Sequence, residues 1–336
     1  MDPADGGGIV STPEPLFLGL DAGGTGTRWA LANTAGEMLR EGAVAGLTAL
    51  MMGNAAGRDQ MLGTASALAG EVAAQGLGAP MRIAVGITGY SDDPVLAGQM
   101  QTLFGGLFSL PAESVSITSD IVIAYHAAFE PGQGYLVYAG TGSIGAHVDG
   151  QGRLHRVGGL GSLLGDGGSG HWIACEAMRH IWRQEDEQPG RWRDSPLALA
   201  VFAHVGGNQW TRSRDFIYQS SRGEVGTLAL AVAATVDTDP VAHRILWQAG
   251  TELAQLGMTL TRRFGPKPMV LAGRALDLHP LIEQGVHATL PQDMPVSRKT
   301  LHPHRAAARL AAQGDQVLAH AGPGPPPASK DWRPAT

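Results

Sequence analysis

A turn rich in glycine and threonine, close to the start of the chain, carries residue types that could bind phosphate. The stretch LGLDAGGTGTRWALANTAGE (18–37) joins one apolar predicted strand to a second through this turn. Glycines expose backbone N–H groups and threonines add hydroxyls, so the turn can form an anion-binding concavity. Its candidate ligands are Gly23, Gly24, Thr25 and Thr27. Asp21, where the first strand ends, could hold a divalent cation through water.

The segment after this turn excludes two other kinds of phosphate loop. A P-loop needs a Gly-Lys-Ser/Thr ending that opens a helix, and a dinucleotide fingerprint needs G-x-G-x-x-G at the start of a helix. Here the turn leads into RWALAN, whose alternating pattern predicts a strand. The remaining alternative is a tight hairpin in which the glycines serve only a positive φ.

A second turn of the same kind occurs in the middle of the chain. The segment GYLVYAGTGSIGAHVDGQGRLHRVGG (134–159) repeats the order strand, Gly/Thr turn, strand, Gly turn, strand. The candidate ligands of this turn are Gly140, Thr141, Gly142 and Ser143. There are two copies and each is the size of a domain, which indicates duplicated halves rather than a solenoid. Two matched turns together with Asp21 favour binding of a polyphosphate over a purely structural hairpin.

Two further carboxylates lie where predicted elements meet. Asp120 ends the strand SVSITSD and begins a helix, and ligands gather at such strand ends in open α/β sheets. Asp166, in LLGDGGSG, follows a glycine and precedes another helix. Each could be a helix cap, and from the residues alone capping is the favoured interpretation of Asp120.

Predicted strands and helices alternate around these residues in both halves. After the first meander we predict a helix near 54–75 and strands at 81–88 and 114–120, each of them followed by a helix. After the second meander come long helical stretches and the strand PMVLAG, which ends at Gly273. This order is typical of α/β domains.

Composition excludes several classes of function. The chain has 336 residues, enough for two domains. Its formal charge of -6 gives no sign of the positive surface that binds nucleic acid. We expect no membrane span, because no window approaches the roughly 20 apolar residues that one requires. The lone Cys175 excludes an intramolecular disulfide, a CxxC metal or redox site and an iron-sulfur cluster supplied by one chain. The N-terminal residues lack the pattern of a signal peptide, so we expect a cytoplasmic protein.

The motifs resemble those of the actin-like ATPase and sugar kinase superfamily, within it the N-acetylglucosamine kinases and the BadF/BadG/BcrA/BcrD ATPases. LDAGGTGTRWAL is similar to the first phosphate motif and YAGTGSIG to the second. VLAGRAL, which contains Gly273, resembles the adenosine motif, and HRAAARLA the returning C-terminal helix. The resemblance covers roughly residues 16–313.

The resemblance implies an α/β fold of two RNase H-like (actin-like ATPase) domains with an interdomain cleft. We expect the first domain over 16–128, completed by a returning helix near 304–318, and the second over 129–303. Pro- and Gly-rich residues 1–15 and 321–336 are predicted to be a disordered leader and tail.

The resemblance also assigns roles to individual residues. It makes Asp120 the catalytic base, Asp21 the residue that holds Mg²⁺, and the two turns with Gly273 the ATP site. The residues it places around the sugar are Thr88, Gly89, Gly158, Gly159, Leu160 and Asp166. It further implies a small-molecule sugar as substrate and a possible homodimer.

Three positions depart from the family pattern. Leu160 stands where similar kinases carry a tryptophan, and Gly167 where an acidic residue is common. Arg274 replaces the second glycine of the adenosine motif. The first two departures concern sugar recognition and leave the identity of the acceptor open.

The predicted function is an ATP-dependent kinase that converts N-acetylglucosamine to its 6-phosphate. A glucosamine kinase is the close alternative. An activator ATPase that drives electrons into a partner reductase is an alternative of another class, but such proteins bring more than one ligating cysteine per chain. A sugar-sensing regulator without turnover is a third, disfavoured by the retention of Asp21, Thr25, Asp120 and Thr141.

Overall fold

A computed structural model describes residues 14–314 of the chain. They divide into two compact units, the first made of residues 14–123 and 302–314 and the second of residues 124–301. The predicted tail, and the predicted leader apart from its last two residues, lie outside the described residues.

The first unit is built on a five-stranded sheet. Its strands, in chain order, are β1 (Phe17–Gly23), β2 (Gly26–Ala32), β3 (Met38–Val44), β4 (Arg82–Ile87) and β5 (Val115–Ser119). They lie in the order β3-β2-β1-β4-β5, with β1, β2 and β3 antiparallel and β4 and β5 parallel to β1. The helices that follow strands here are α1 (Ala55–Ala73), α2 (Pro94–Phe108) and α3 (Asp120–His126). These elements match the predicted meander and crossovers.

The second unit repeats this topology. Its strands are β6 (Tyr135–Ala139), β7 (Ser143–Val148), β8 (Leu154–Gly158), β9 (Met269–Ala272) and β10 (Val296–Arg298). They lie in the order β10-β9-β6-β7-β8, with β6 to β8 antiparallel and β9 and β10 parallel to β6 and to each other. The two sheets therefore have the same strand order and directions, which confirms the predicted α/β fold with duplicated halves.

Helices fill the long connection between β8 and β9. They are α4 (Gly170–Glu187), α5 (Pro196–Val205), α6 (Trp210–Gln219), α7 (Arg222–Thr227), α8 (Ala229–Ala233) and α9 (Pro240–Phe264), and α10 (Pro280–Thr289) lies after β9. Sequence pattern predicts one helix over EVGTLALAVAATV, whereas the structure has two, α7 and α8, separated at Leu228. The apolar faces of α4, α5 and α9 pack with β6 and β9 into one core.

The last described helix, α11 (Pro303–Gln313), returns to the first unit. It packs so closely on β1 that a Cβ at Gly19 would overlap the backbone of Ala308 and His304. Buried alanines on α11 permit this approach, and Glu41 of β3 fixes the helix through hydrogen bonds from His304 (3.2 Å) and Arg305 (3.0 Å). The returning helix is thus part of the packing of the first sheet.

Among residues 14–314, no helix combines the length and the apolar character that a membrane crossing requires.

Candidate active site

Three polar side chains of the first unit meet at the edge where its parallel strands end. The register pairs Asp21 of β1 with Gly86 of β4, and Ile87 of β4 with Ser119 of β5. Thr88 follows β4 and Asp120 follows β5, so their side chains come to the same edge as Asp21. Thr88 Oγ1 donates a hydrogen bond of 2.6 Å to Asp120 Oδ2.

The surroundings of Asp120 differ from those of an ordinary helix cap. Its Oδ1 accepts hydrogen bonds from Ser119 Oγ (3.1 Å) and from the backbone N–H of Ile121 (2.8 Å). A cap side chain accepts from the second or third residue of the helix, whereas Ile121 is the residue directly after Asp120. Asp120 is partly exposed at the strand edge, so a ligand can reach its carboxylate.

Asp21 lies beside Asp120 in a setting that suits a cation. Burial, together with the weaker effect of the negative charge of Asp120, raises the pKa of Asp21 to about 6, while Arg28 acts in the opposite direction. A hard divalent cation relieves the repulsion between two such carboxylates, and Mg²⁺ prefers oxygen ligands. Within residues 14–314 no group of three or more His, Cys, Asp or Glu side chains could hold a metal ion. The carboxylates of Asp21 and Asp120 are oxygen donors of the kind that bind Mg²⁺ in ones or twos together with water and phosphate.

The first hairpin turn presents only part of the predicted ligand set. Gly24 and Thr25 are exposed and Gly23 is partly exposed, so phosphate can reach this surface. The Thr27 side chain is fully buried, and its Oγ1 lies away from solvent without a hydrogen-bond partner. Thr27 is on the same face of β2 as the buried Trp29, because side chains alternate along a strand. Thr25 is thus exposed at the turn and Thr27 is buried beneath it, and their roles as ligands remain predictions.

The second hairpin turn lies at the ends of β6 and β9, which are adjacent and parallel. Tyr138 of β6 is paired with Ala272 of β9, so Gly140–Ser143 and Gly273 lie at one edge. Gly273 has φ of 103°, and a Cβ there would overlap the backbone of Ala139, so this position requires glycine. The Gly140 N–H donates to the Gly142 carbonyl at 2.8 Å and closes the turn. The predicted phosphate and adenosine motifs are thereby neighbours within the second unit.

The first residues of α4 are hydrogen-bonded to the second turn. The N–H groups of Gly170 and His171 donate to the carbonyls of Gly140 (2.9 Å) and Thr141 (3.3 Å). Ser169 caps the helix, with its Oγ accepting from the Trp172 N–H at 3.2 Å. Asp166 is thus not the cap of α4.

Asp166 is held against the second turn. Its side chain is 2% exposed, and its backbone has φ of 64°, which is unusual outside glycine. Oδ1 accepts from the Ser143 N–H at 3.4 Å, and Oδ2 forms an ion pair with Arg222, the first residue of α7. The carboxylate that the resemblance assigns to sugar hydroxyls is occupied by protein groups in this structure.

The remaining predicted sugar residues are exposed or partly exposed. Gly89 is exposed next to Thr88, and a Cβ there would come within 3.0 Å of the exposed Leu50. Gly158 and Gly159 have φ of 70° and 64°, and Gly159 N–H donates to the Ser143 carbonyl at 3.1 Å. Leu160, the next residue, is 65% exposed.

Sequence reasoning missed Arg222 altogether. The residue is 56 positions from its partner Asp166 and lies in no phosphate or sugar motif. The local pattern Ser221-x-x-Glu224 forms a capping box and predicts the start of α7, but it carries no information about the partner of Arg222.

A known protein family matches the part of the chain that contains these two turns. The profile of the BadF/BadG/BcrA/BcrD ATPase family matches residues 18–289. The N-acetylmuramic acid/N-acetylglucosamine kinase of Clostridium acetobutylicum is 30% identical over 142 residues, which are 41% of this chain and 45% of that protein. The N-acetyl-D-glucosamine kinase of Dictyostelium discoideum is 24% identical over 212 residues, 58% of this chain and 65% of that protein. The matches thus span less than two thirds of either relative.

A solved structure extends the likeness over the whole fold. The Chromobacterium violaceum protein, provisionally named an N-acetylglucosamine kinase, superimposes with a TM-score of 0.68 at 24% identity. The match covers 89% of this chain and 100% of that chain. At this identity the likeness establishes the fold.

Proposed function

Because this chain belongs to the BadF/BadG/BcrA/BcrD ATPase family, we propose that it uses ATP to phosphorylate an amino sugar. N-acetylglucosamine is the proposed acceptor and N-acetylglucosamine 6-phosphate the proposed product. The Clostridium and Dictyostelium relatives both carry N-acetylglucosamine kinase in their names, which supports this choice.

The observation that carries the proposal is the place of Asp120. A carboxylate at the end of β5, oriented by the 2.6 Å hydrogen bond from Thr88, can accept the proton of an attacking sugar hydroxyl. A base is needed because the hydroxyl loses its proton as it attacks the γ-phosphoryl group, while positioning and charge neutralisation supply most of the acceleration. We therefore assign Asp120 as the general base.

The two turns supply the proposed nucleotide contacts. The backbone at Gly23 and Gly24 with the Thr25 hydroxyl would bind phosphate in the first unit, and Gly140, Thr141, Gly142 and Ser143 in the second. Gly273 would leave room for adenosine. Asp21 would hold Mg²⁺, which when bound neutralises charge on the phosphates. Only the ionised carboxylate of Asp21 would bind Mg²⁺, because a metal ligand must be deprotonated.

The proposed sugar contacts come from residues that are exposed or partly exposed. Thr88 and Gly89 in the first unit and Gly158, Gly159 and Leu160 in the second keep the roles that the resemblance gives them. Leu160 is smaller than the tryptophan of similar kinases, so we propose a wider tolerance around the sugar's 2-substituent.

The alternatives are less well supported. An activator ATPase with a cluster shared between subunits needs several cysteines, and this chain has one. Glucosamine differs from N-acetylglucosamine only at the 2-substituent, so a direct comparison of the two sugars decides between them. We further propose that the protein is a cytoplasmic homodimer. Light scattering on the purified protein tests the oligomeric state.

A substrate panel tests the proposed function. Purified protein is incubated with Mg²⁺ and ATP and, separately, N-acetylglucosamine, glucosamine, N-acetylmannosamine, N-acetylmuramic acid or glucose, and ADP release is followed. We expect the highest kcat/KM with N-acetylglucosamine. ADP release that no sugar stimulates would contradict the proposal.

A further inference from the structure

Arg222 lies directly on the second hairpin turn. Its guanidinium pairs with Asp166 Oδ2, and Nη2 lies so close to Gly142 that a Cβ at residue 142 would overlap it. Asp166 would also come within 3.1 Å of that Cβ. Glycine at position 142 therefore leaves space for the ion pair as well as exposing the backbone of the turn.

Asp166 connects this arginine to the turn. One carboxylate oxygen accepts from the Ser143 N–H and the other pairs with Arg222, so a single buried side chain fixes both groups. A left-handed backbone at a residue other than glycine costs free energy, and such residues cluster at functional sites. Because Asp166 bonds to both groups, it holds the guanidinium of Arg222 next to the second turn.

The helix that carries Arg222, α7, also packs against the second turn. In α7, a Cβ at Gly226 would lie 3.6 Å from Thr141 Cγ2, and a Cβ at Gly170 would lie 3.3 Å from the Gly226 carbonyl oxygen. Ser221 and Glu224 form a reciprocal capping box that fixes the first turn of α7. Arg222 therefore starts from a well-defined backbone position.

The guanidinium of Arg222 has N–H donors that the ion pair with Asp166 does not use. The Arg222 side chain is 41% exposed, whereas that of Asp166 is 2% exposed. A guanidinium has five N–H donors, and the ion pair with one carboxylate oxygen leaves others free to bind. Arginine suits phosphate recognition because its planar fork can place two parallel hydrogen bonds on phosphate oxygens.

We propose that Arg222 binds a phosphate group of the nucleotide at the second turn, and that Asp166 is the positioning residue that holds the guanidinium there. The proposal rests on the proposed function, since the phosphate belongs to ATP. It adds a role in nucleotide binding to the sugar contact that the family resemblance assigns to Asp166.

Calorimetric titration without sugar tests the proposal, using a non-hydrolysable ATP analogue and adenosine as probes. Arg222→Gln should weaken binding of the analogue by roughly tenfold to a hundredfold, the usual range for a hydrogen bond to a charged group. Adenosine affinity should not change, because adenosine has no phosphate. Arg214→Gln, which removes an exposed arginine paired with the adjacent Asp215, is the matched control and should bind both probes as the unmodified protein does.

A double-mutant cycle tests the positioning role. Asp166→Asn should also weaken binding of the analogue, and the variant with both substitutions should bind it no more weakly than Arg222→Gln alone. The double variant also avoids the unpaired buried carboxylate that Arg222→Gln leaves, so it reports on binding if the single variant is unstable.

Three results separate the possible failures. Binding of the analogue by the double variant with unmodified affinity would overturn the phosphate role of Arg222. An Asp166→Asn variant that raises KM for the sugar and leaves analogue binding intact would overturn the positioning role. Failure of the unmodified protein to bind the analogue would instead contradict the proposed function.

Discussion

Replacing Asp120 by asparagine separates a catalytic base from a structural carboxylate. Asparagine keeps the size of the side chain and one oxygen that can accept the 2.8 Å hydrogen bond from the Ile121 N–H. It cannot accept a proton from a sugar hydroxyl. If Asp120 is the base, kcat should fall by roughly 10²- to 10⁴-fold, the usual contribution of a positioned base.

The stability of the same variant should change little. The amide removes the negative charge that contributes to the raised pKa of Asp21, so that pKa should fall from about 6 towards its ordinary value. At neutral pH this removes a repulsion between two carboxylates and offsets part of any weakened hydrogen bond with Thr88 or Ser119. The melting temperature should therefore stay close to that of the unmodified protein.

Asp120→Ala provides the contrast. It removes the acceptor of the hydrogen bonds from Thr88, Ser119 and Ile121, and the loss of such hydrogen bonds should lower the free energy of unfolding by at least about 1 kcal/mol. A cost of this size lowers the melting temperature by a few degrees Celsius. Steady-state kinetics and thermal melting of both variants are the measurements. A kcat close to that of the unmodified protein in Asp120→Asn would refute the assignment of Asp120 as the base.

Three further predictions address the turns, the sugar and pH. Thr141→Val keeps the Cγ2 methyl that packs near Gly226 and loses the hydroxyl, so KM for ATP should rise roughly tenfold with the fold unchanged by circular dichroism; normal ATP kinetics would remove Thr141 from the nucleotide site. Leu160→Trp should raise the ratio of kcat/KM for N-acetylglucosamine over glucosamine, and an unchanged ratio would mean that residue 160 does not contact the sugar. Because Asp21 has a pKa of about 6 and must be ionised to hold Mg²⁺, the Mg²⁺ concentration for half-maximal activity should rise as pH falls below about 6; a requirement that is constant between about pH 5 and 7 would contradict this role.

Patterns of local sequence predicted the sheets and the turns because both depend on short-range information. The alternation of apolar residues and the glycines at strand ends determined two meanders, and the strand ends brought Asp21, Thr88 and Asp120 to one edge of a sheet. The short strand β10, which contains only three residues, has too few positions to show a period of two. The break between α7 and α8 lies at Leu228, two residues after Gly226, which packs against the start of α4.

The contacts of the site depend on pairing across the chain, which single-sequence patterns do not contain. Thr27 lies in a motif rich in hydroxyls, yet the alternation along β2 places it with Trp29 on the buried face. The sequence around Asp166 is typical of a cap or a sugar ligand, and only the fold reveals that Arg222 occupies its carboxylate. Local composition therefore predicts a candidate site, while tertiary packing decides which of its side chains are exposed.

The fate of the transferred phosphoryl group tests the proposed amino-sugar kinase most directly. Purified protein is incubated with Mg²⁺ and ATP labelled at the γ-phosphate, with and without N-acetylglucosamine, and the labelled products are separated and identified. The proposed function predicts that the label appears in N-acetylglucosamine 6-phosphate and that little inorganic phosphate forms without sugar. Label found only in inorganic phosphate, released at the same rate with and without the sugar, would contradict it.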